Sequence, residues 1–112
     1  MHEMSIALNI VEILREEVAK ENGRPLRKVT LSVGELSGIE PDSLRFFLDT
    51  AFEDEHWREV SLDIQKAPLA AHCKTCGADF QPEETDFRCS CGSGDVELTG
   101  GQALHIESIV LE

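Results

Sequence analysis

The chain is expected to form an α/β fold, a two-layer domain of two helices on a small three-stranded sheet, interrupted by an inserted cysteine-rich ribbon. Three observations predict it. Two segments carry apolar residues at helical spacing, three others alternate apolar and polar residues, and all four cysteines fall between Cys73 and Cys91, after the second alternating segment and before the third. The final strand can rejoin the sheet only after the cysteine segment has left it. The expected units are therefore residues 1–68 with 102–112 as the α/β domain and residues 69–101 as the inserted subdomain.

The first helix is predicted over Ser5 to Lys20. Ala7, Val11, Leu14 and Val18 are spaced four, three and four apart, and Ile6, Ile10 and Ile13 widen the stripe into an isoleucine-rich core face. Asn22-Gly23 stops it, because glycine tolerates the left-handed backbone that ends helices. Val29, Leu31 and Val33 then alternate with Lys28, Thr30 and Ser32, the spacing of a strand with one buried face, and Gly34 and Gly38 are expected to loosen the chain after it. Pro41 suits the first turn of a second helix whose core face is Leu44, Phe47, Leu48, Ala51 and Phe52. His56, beside Trp57, reads as a surface histidine. Val60, Leu62 and Ile64 repeat the strand pattern, and Ala67-Pro68 marks the passage into the cysteine segment. After Gly100-Gly101 a last strand is expected with Leu104, Ile106 and Val110 on one face and Ile109 and Leu111 on the other; Ser108 interrupts the first face, the mark of a bulge.

Cys73-Lys-Thr-Cys76 and Cys89-Ser-Cys91 are two close pairs, and two such pairs about a dozen residues apart bring four sulfurs around one ion. Tetrahedral thiolate coordination is what Zn²⁺ favours in structural sites, so the insertion reads as a zinc-ribbon subdomain. Phe80 and Phe87 would cover its small interior, and Gly77, Gly92 and Gly94 permit its tight turns. The second pair has one intervening residue instead of two. In an extended Cys-x-Cys the side chains point to opposite faces, so the segment must kink for both Cys89 and Cys91 to ligate; His72 is the substitute ligand if it does not.

Met1-His2-Glu3 precedes the first helix. A free α-amine, the amide nitrogen of residue 2 and the imidazole Nδ1 close adjacent chelate rings, and the Glu3 amide could complete a plane. Such nitrogen ligation favours Ni²⁺ or Cu²⁺ over Zn²⁺. The same tripeptide also reads as a frayed chain end with Glu3 complementing the helix dipole.

Composition bounds the partners. The chain has 112 residues, 41% of them hydrophobic, enough for one domain with a modest core. Ten basic against 22 acidic residues give a formal charge of −12, which repels phosphate backbones and anionic membrane surfaces. Between residues 71 and 100 only Lys74 and Arg88 oppose Asp79, Glu83, Glu84, Asp86, Asp95 and Glu97, which disfavours the nucleic-acid role of many zinc ribbons. No apolar run approaches the ~20 residues of a membrane span, and no basic and apolar leader opens the sequence. These features point to a cytoplasmic protein, where reduced thiols are metal ligands before they are disulfides.

Met1-His2-Glu3 opening an apolar helix, a strand ending Val33-Gly34-Glu35, and Cys73-Lys-Thr-Cys76 followed by a second cysteine pair together resemble the HypA/HybF family of hydrogenase maturation factors, over essentially the whole chain. The resemblance implies a non-enzymatic metallochaperone that carries Ni(II) to the large subunit of [NiFe]-hydrogenase, and in some members to urease, with a nickel-handling GTPase as partner. It implies that Met1, His2 and Glu3 hold the transported nickel and that Cys73, Cys76, Cys89 and Cys91 hold a structural Zn(II). Many members have two residues inside the second pair, where this chain has only Ser90. The competing reading is a zinc-ribbon adaptor that binds a protein partner without nickel transfer. A metal-dependent hydrolase is disfavoured, because four-cysteine sites are coordinatively closed and no nucleophile with a neighbouring base stands out.

Overall fold

The computed structural model describes residues 2–83 and 85–112. In chain order the elements are α1 (Glu3–Lys20), β1 (Leu26–Gly34), α2 (Pro41–Asp54), β2 (Ser61–Ala67), β3 (Ala70–Cys73), β4 (Asp79–Phe80), β5 (Val96–Gly100) and β6 (Leu104–Leu111). Two three-stranded sheets result, ordered β2-β1-β6 and β4-β3-β5, so the predicted α/β architecture with an inserted ribbon is observed. The molecule is elongated, 53 × 26 × 17 Å. Its radius of gyration is 17.4 Å, against about 13 Å for a compact chain of this length, as two lobes in series require.

The larger lobe is built on β1, which pairs parallel with β2 and antiparallel with β6. Val29, Leu31 and Val33 are buried on the helix-covered face with Ala7, Ile10, Val11 and Leu14 of α1 and Leu44, Leu48 and Phe52 of α2. Burying side chains of this size contributes about 1.5–3 kcal/mol each. Thr30 and Ser32, on the other face, are also nearly buried, because β1 is central and cross-strand neighbours such as Gln65 and His105 flank Ser32 on both sides. Ile13 departs from the expected core face; it lies at the edge of the α1 stripe and is 43% exposed.

β6 corrects one expectation. Thr30 pairs with Ser108 but Leu31 pairs with Ile106, so Glu107 is an extra residue that shifts the alternation by one. Ile109 and Leu111 thereby join Leu104 and Ile106 against the core, while Val110 turns outward and is 46% exposed. A second irregularity at Arg27 brings Leu26, also buried, opposite Leu111. The bulge anticipated at Ser108 is present one residue earlier, and it regroups the two predicted faces.

Gly34 is the other correction. It does not loosen the chain; it is packed directly against another backbone segment. A Cβ there would come within 2.6 Å of the Gly101 backbone, and one at Gly101 (φ +83°) within 2.7 Å of the Leu69 Cα and the Pro68 carbonyl. The strands leaving and re-entering the large lobe cross at this point. Three backbone N–H groups close it: Gly34 donates to Ala103, Glu35 to Ala67 and Leu36 to Gly101, at 2.8–3.0 Å.

Helix α1 runs back along the sheet. Ile6 and Ile10 lie beside Leu104 and Ile106, and Glu17 and Glu21 beside Ile109 and Leu111, so the start of α1 is at the same end of the lobe as the glycine crossing. Gly101→Ala is expected to lower the unfolding free energy by at least about 2 kcal/mol, since it adds a backbone clash to left-handed strain. Gly23→Ala (φ +74°), whose Cβ meets nothing within 4 Å, carries the strain alone and should cost only about 1 kcal/mol. Urea midpoints of the two variants compare these directly.

Candidate metal centre

The ribbon contains little core. Leu69, Ala71 and Cys73 are buried, Phe80 and Phe87 are half-buried, and β4 has only two residues. What it contains instead is a cluster of four sulfurs. The Sγ atoms of Cys73, Cys76, Cys89 and Cys91 all lie within 4.8 Å of one another, with Cys73–Cys91 at 3.7 Å and Cys76–Cys89 at 3.6 Å. A tetrahedron with Zn–S bonds of ~2.3 Å has edges of about 3.8 Å, so this donor set fits such an ion.

Two turns of different length produce the convergence. In the first, Cys73 ends β3 and its carbonyl accepts from the Gly77 N–H, four residues on, at 2.9 Å. In the second, the Cys89 carbonyl accepts from the Gly92 N–H, three residues on, also at 2.9 Å. Each turn places a glycine with positive φ directly after its second cysteine, Gly77 at 78° and Gly92 at 93°. The turn at Ser90 is therefore one residue tighter, and the kink demanded by Cys-x-Cys is made. Cys89 N–H donates to the Ser93 carbonyl at 3.0 Å, and Thr75 and Ser93 hydroxyls join the two turns at 2.8 Å.

His72 is not a fourth-ligand substitute. It alternates with buried Cys73 on β3, and its Nδ1–H donates to the Asp79 carboxylate at 2.7 Å.

The thiols are unequal. The Cys76 N–H, 3.5 Å from the Cys73 sulfur, holds that thiol down to about 6, against desolvation and with further help from the Thr75 N–H. The Ala78 N–H favours ionised Cys76, yet the sulfurs of Cys89 and Cys73 outweigh it and push the Cys76 thiol up to about 11. Cys91 is likewise raised, its bond from the Ser93 N–H being outweighed by Cys89 and by desolvation. Crowding thus lets one thiol ionise at the expense of its neighbours, and a divalent cation is the partner that relieves the conflict.

At the other sequence-predicted site, Met1 lies outside the described residues. His2 is exposed and stands as the N-cap of α1, and its carbonyl accepts the first helical bond, from Ile6 N–H, at 3.1 Å. Glu3 is the first helical residue and is half-buried. The amide of such a residue has no partner within its helix. Among the described residues neither His2 nor Glu3 belongs to a group of three or more His, Cys, Asp or Glu side chains close enough to share an ion, and the cysteine cluster is a separate centre in the other lobe.

Comparison with known proteins places these features. The family described as "Hydrogenase/urease nickel incorporation, metallochaperone, hypA" matches residues 1–111. A "Hydrogenase maturation factor HypA" from Desulfatibacillum aliphaticivorans is 38% identical, covering 97% of this chain and 85% of its own, and one from Trichormus variabilis is 36% identical, covering 100% and 96%. A solution structure of a HypA protein superposes with a TM-score of 0.75 at 25% identity over 100% of this chain and 97% of its own. The solution structure of the Ni metallochaperone HypA from Helicobacter pylori gives 0.69 at 24% identity over 99% and 97%, a likeness of fold.

Co²⁺ titration tests the cysteine geometry. The wild-type ribbon should show tetrahedral thiolate charge-transfer and d–d bands. Cys91→Ser should lose about a quarter of the charge-transfer intensity, as expected on removing one of four sulfurs. Gly92→Ala should weaken Co²⁺ binding about tenfold through left-handed strain of about 1–2 kcal/mol, and Ser90→Ala should leave it nearly unchanged.

Proposed function

Since the chain belongs to the HypA family of hydrogenase/urease nickel-incorporation metallochaperones, which are maturation factors and not enzymes, we propose that it binds Ni(II) at its first three residues and delivers it during [NiFe]-hydrogenase maturation. The observation that carries this reading is the family match across residues 1–111, which begins on Met1-His2-Glu3 itself. In this reading a free Met1 amine, the His2 amide nitrogen with its imidazole, and the Glu3 amide supply a square of nitrogens, which rewards Ni(II) and not Zn(II). The start of α1 supports it, since helix geometry leaves those first amides without intrahelical acceptors. An exposed chain end also lets ligands be exchanged one at a time to a receiving site.

The cysteine quartet is assigned a structural Zn(II), because a closed thiolate shell fits a lobe with so little core. The two separate sheets, β2-β1-β6 and β4-β3-β5, support dividing the chain into a nickel-binding domain, 1–68 with 102–112, and a zinc ribbon, 69–101. The receiving protein in this reading is the hydrogenase large subunit, a urease being the alternative recipient, and a nickel-handling GTPase is the cooperating partner. The setting proposed is the cytoplasm; among the described residues no helix is long and apolar enough to cross a membrane.

Titration calorimetry with Ni²⁺ tests the proposal on protein with a free amino terminus. His2→Ala, or a short extension ahead of Met1, should reduce affinity at least about tenfold while zinc content stays at one per chain. Affinity should fall on acidification, as protons compete for the amine, amides and imidazole. Unchanged Ni²⁺ binding in either variant overturns the N-terminal site, and absence of Ni²⁺ binding in the wild type favours the adaptor reading.

A further inference from the structure

Apolar residues in α1 and α2 are not all used by the core. Met4 and Leu8 of α1 are 57% and 58% exposed, and Phe46 of α2 is 66% exposed, resting edge-to-face on half-buried Phe47 with ring centroids 5.4 Å apart. Between the helices runs a groove of about 170 Å³. Met4, Leu8, Phe47 and exposed Thr50 line it, the small residues Ala7 and Ala51 lie deepest in it, and Phe46 stands beside it outside the lining. Small side chains on the floor let another backbone approach closely, and walls at i and i+4 spacing suit an inserted helix.

One acid, Asp54, closes the groove, and further acids lie round α2 beyond Phe46: Asp42, Asp49 and Glu53 are four, three and seven residues from it, with Asp49 and Glu53 lining a neighbouring recess that also takes in Arg58. Arg45 is the only basic residue among the fourteen of α2. On α1, Glu12 follows Leu8 by one turn, and nearby Arg15 is already paired with Glu12 and Glu55. A second copy of this chain, itself at −12, would bring like charges together, and an anionic membrane is repelled for the same reason.

We propose that the α1–α2 groove is a docking site for an amphipathic helix of a partner protein, with apolar side chains at helical spacing flanked by lysine or arginine. The inference deepens the nickel-delivery reading and rests on it for its purpose: Met4 is two residues from His2, so a helix seated here brings its protein onto the chain end that holds the metal. The acidic rim speeds the encounter and the apolar walls retain it.

The test uses a synthetic peptide of about 18 residues with leucine at i, i+3, i+4 and i+7 and lysine on its flanks, long enough to form helix. A matched peptide carries glutamate in place of lysine. Fluorescence anisotropy on the full chain should show saturable binding of the lysine peptide that weakens with salt, and at least about tenfold weaker binding of the glutamate peptide. Leu8→Ser, which removes a wall of the groove, should weaken the lysine peptide at least about tenfold, as loss of an apolar anchor does. Leu8 is exposed, so the variant should keep its far-UV spectrum, zinc content and Ni²⁺ affinity. NMR shift changes on peptide addition should map to α1 and α2. No binding of the lysine peptide, equal binding of both peptides, equal binding to the variant, or shifts confined elsewhere would overturn the docking site. Ni²⁺ titrations on the same samples report separately on the delivery reading, so either can fail alone.

Discussion

Four thiols held within 4.8 Å of one another are a constraint before they are a site. Backbone N–H groups favour the thiolate at Cys73, whereas neighbouring sulfurs push the Cys76 and Cys91 thiols up. A divalent cation is the kind of partner that lets several thiolates share so small a volume. The β4-β3-β5 sheet hangs on this cluster, because strands of two to five residues with few buried side chains supply little hydrophobic stabilisation. That lobe has a four-sulfur cluster able to hold a metal where a core would otherwise be, whereas the larger lobe is held by ordinary core packing of α1 and α2 on β1.

How far the sequence could be read depended on the distance over which each feature is decided. Leu44, Leu48 and Phe52, or Val29, Leu31 and Val33, declare their face by local period, and they are buried as expected. Val110 does not, because the phase of β6 is reset at Glu107 by pairing with β1, a strand some 75 residues away. Gly34 reads as a loosening element until Gly101 is placed on it. Cys89-Ser90-Cys91 demanded a kink from local geometry alone, and the adjacent Gly92 adopts the positive φ that such a turn uses. Met4, Leu8 and Phe46 gave no signal at all, since an apolar residue on a helix looks the same in a sequence whether it faces a core or a groove.

The N-terminal tripeptide illustrates the opposite limit. Its chemistry is written in three consecutive residues, yet three residues are too few to separate a ligand set from a frayed helix start. Family membership across residues 1–111 is what supports the proposed reading of them as a ligand set. The fold adds that His2 caps α1 and that Glu3 begins it, so these two residues stand at the start of a helix anchored through Ala7, Val11 and Leu14.

The crossing at Gly34, Gly101 and Leu69 has a mechanical meaning as well. A tether of free residues would let the ribbon sample many orientations, each lost at an entropic cost when a second protein touched both lobes. Here the two connecting segments are pressed together at glycine-only distances and closed by three backbone hydrogen bonds. The link between the lobes is thus short and bonded through backbone on both of its segments, and because α1 begins at this end of the large lobe, a protein that grips the ribbon sits next to the end at which α1 starts.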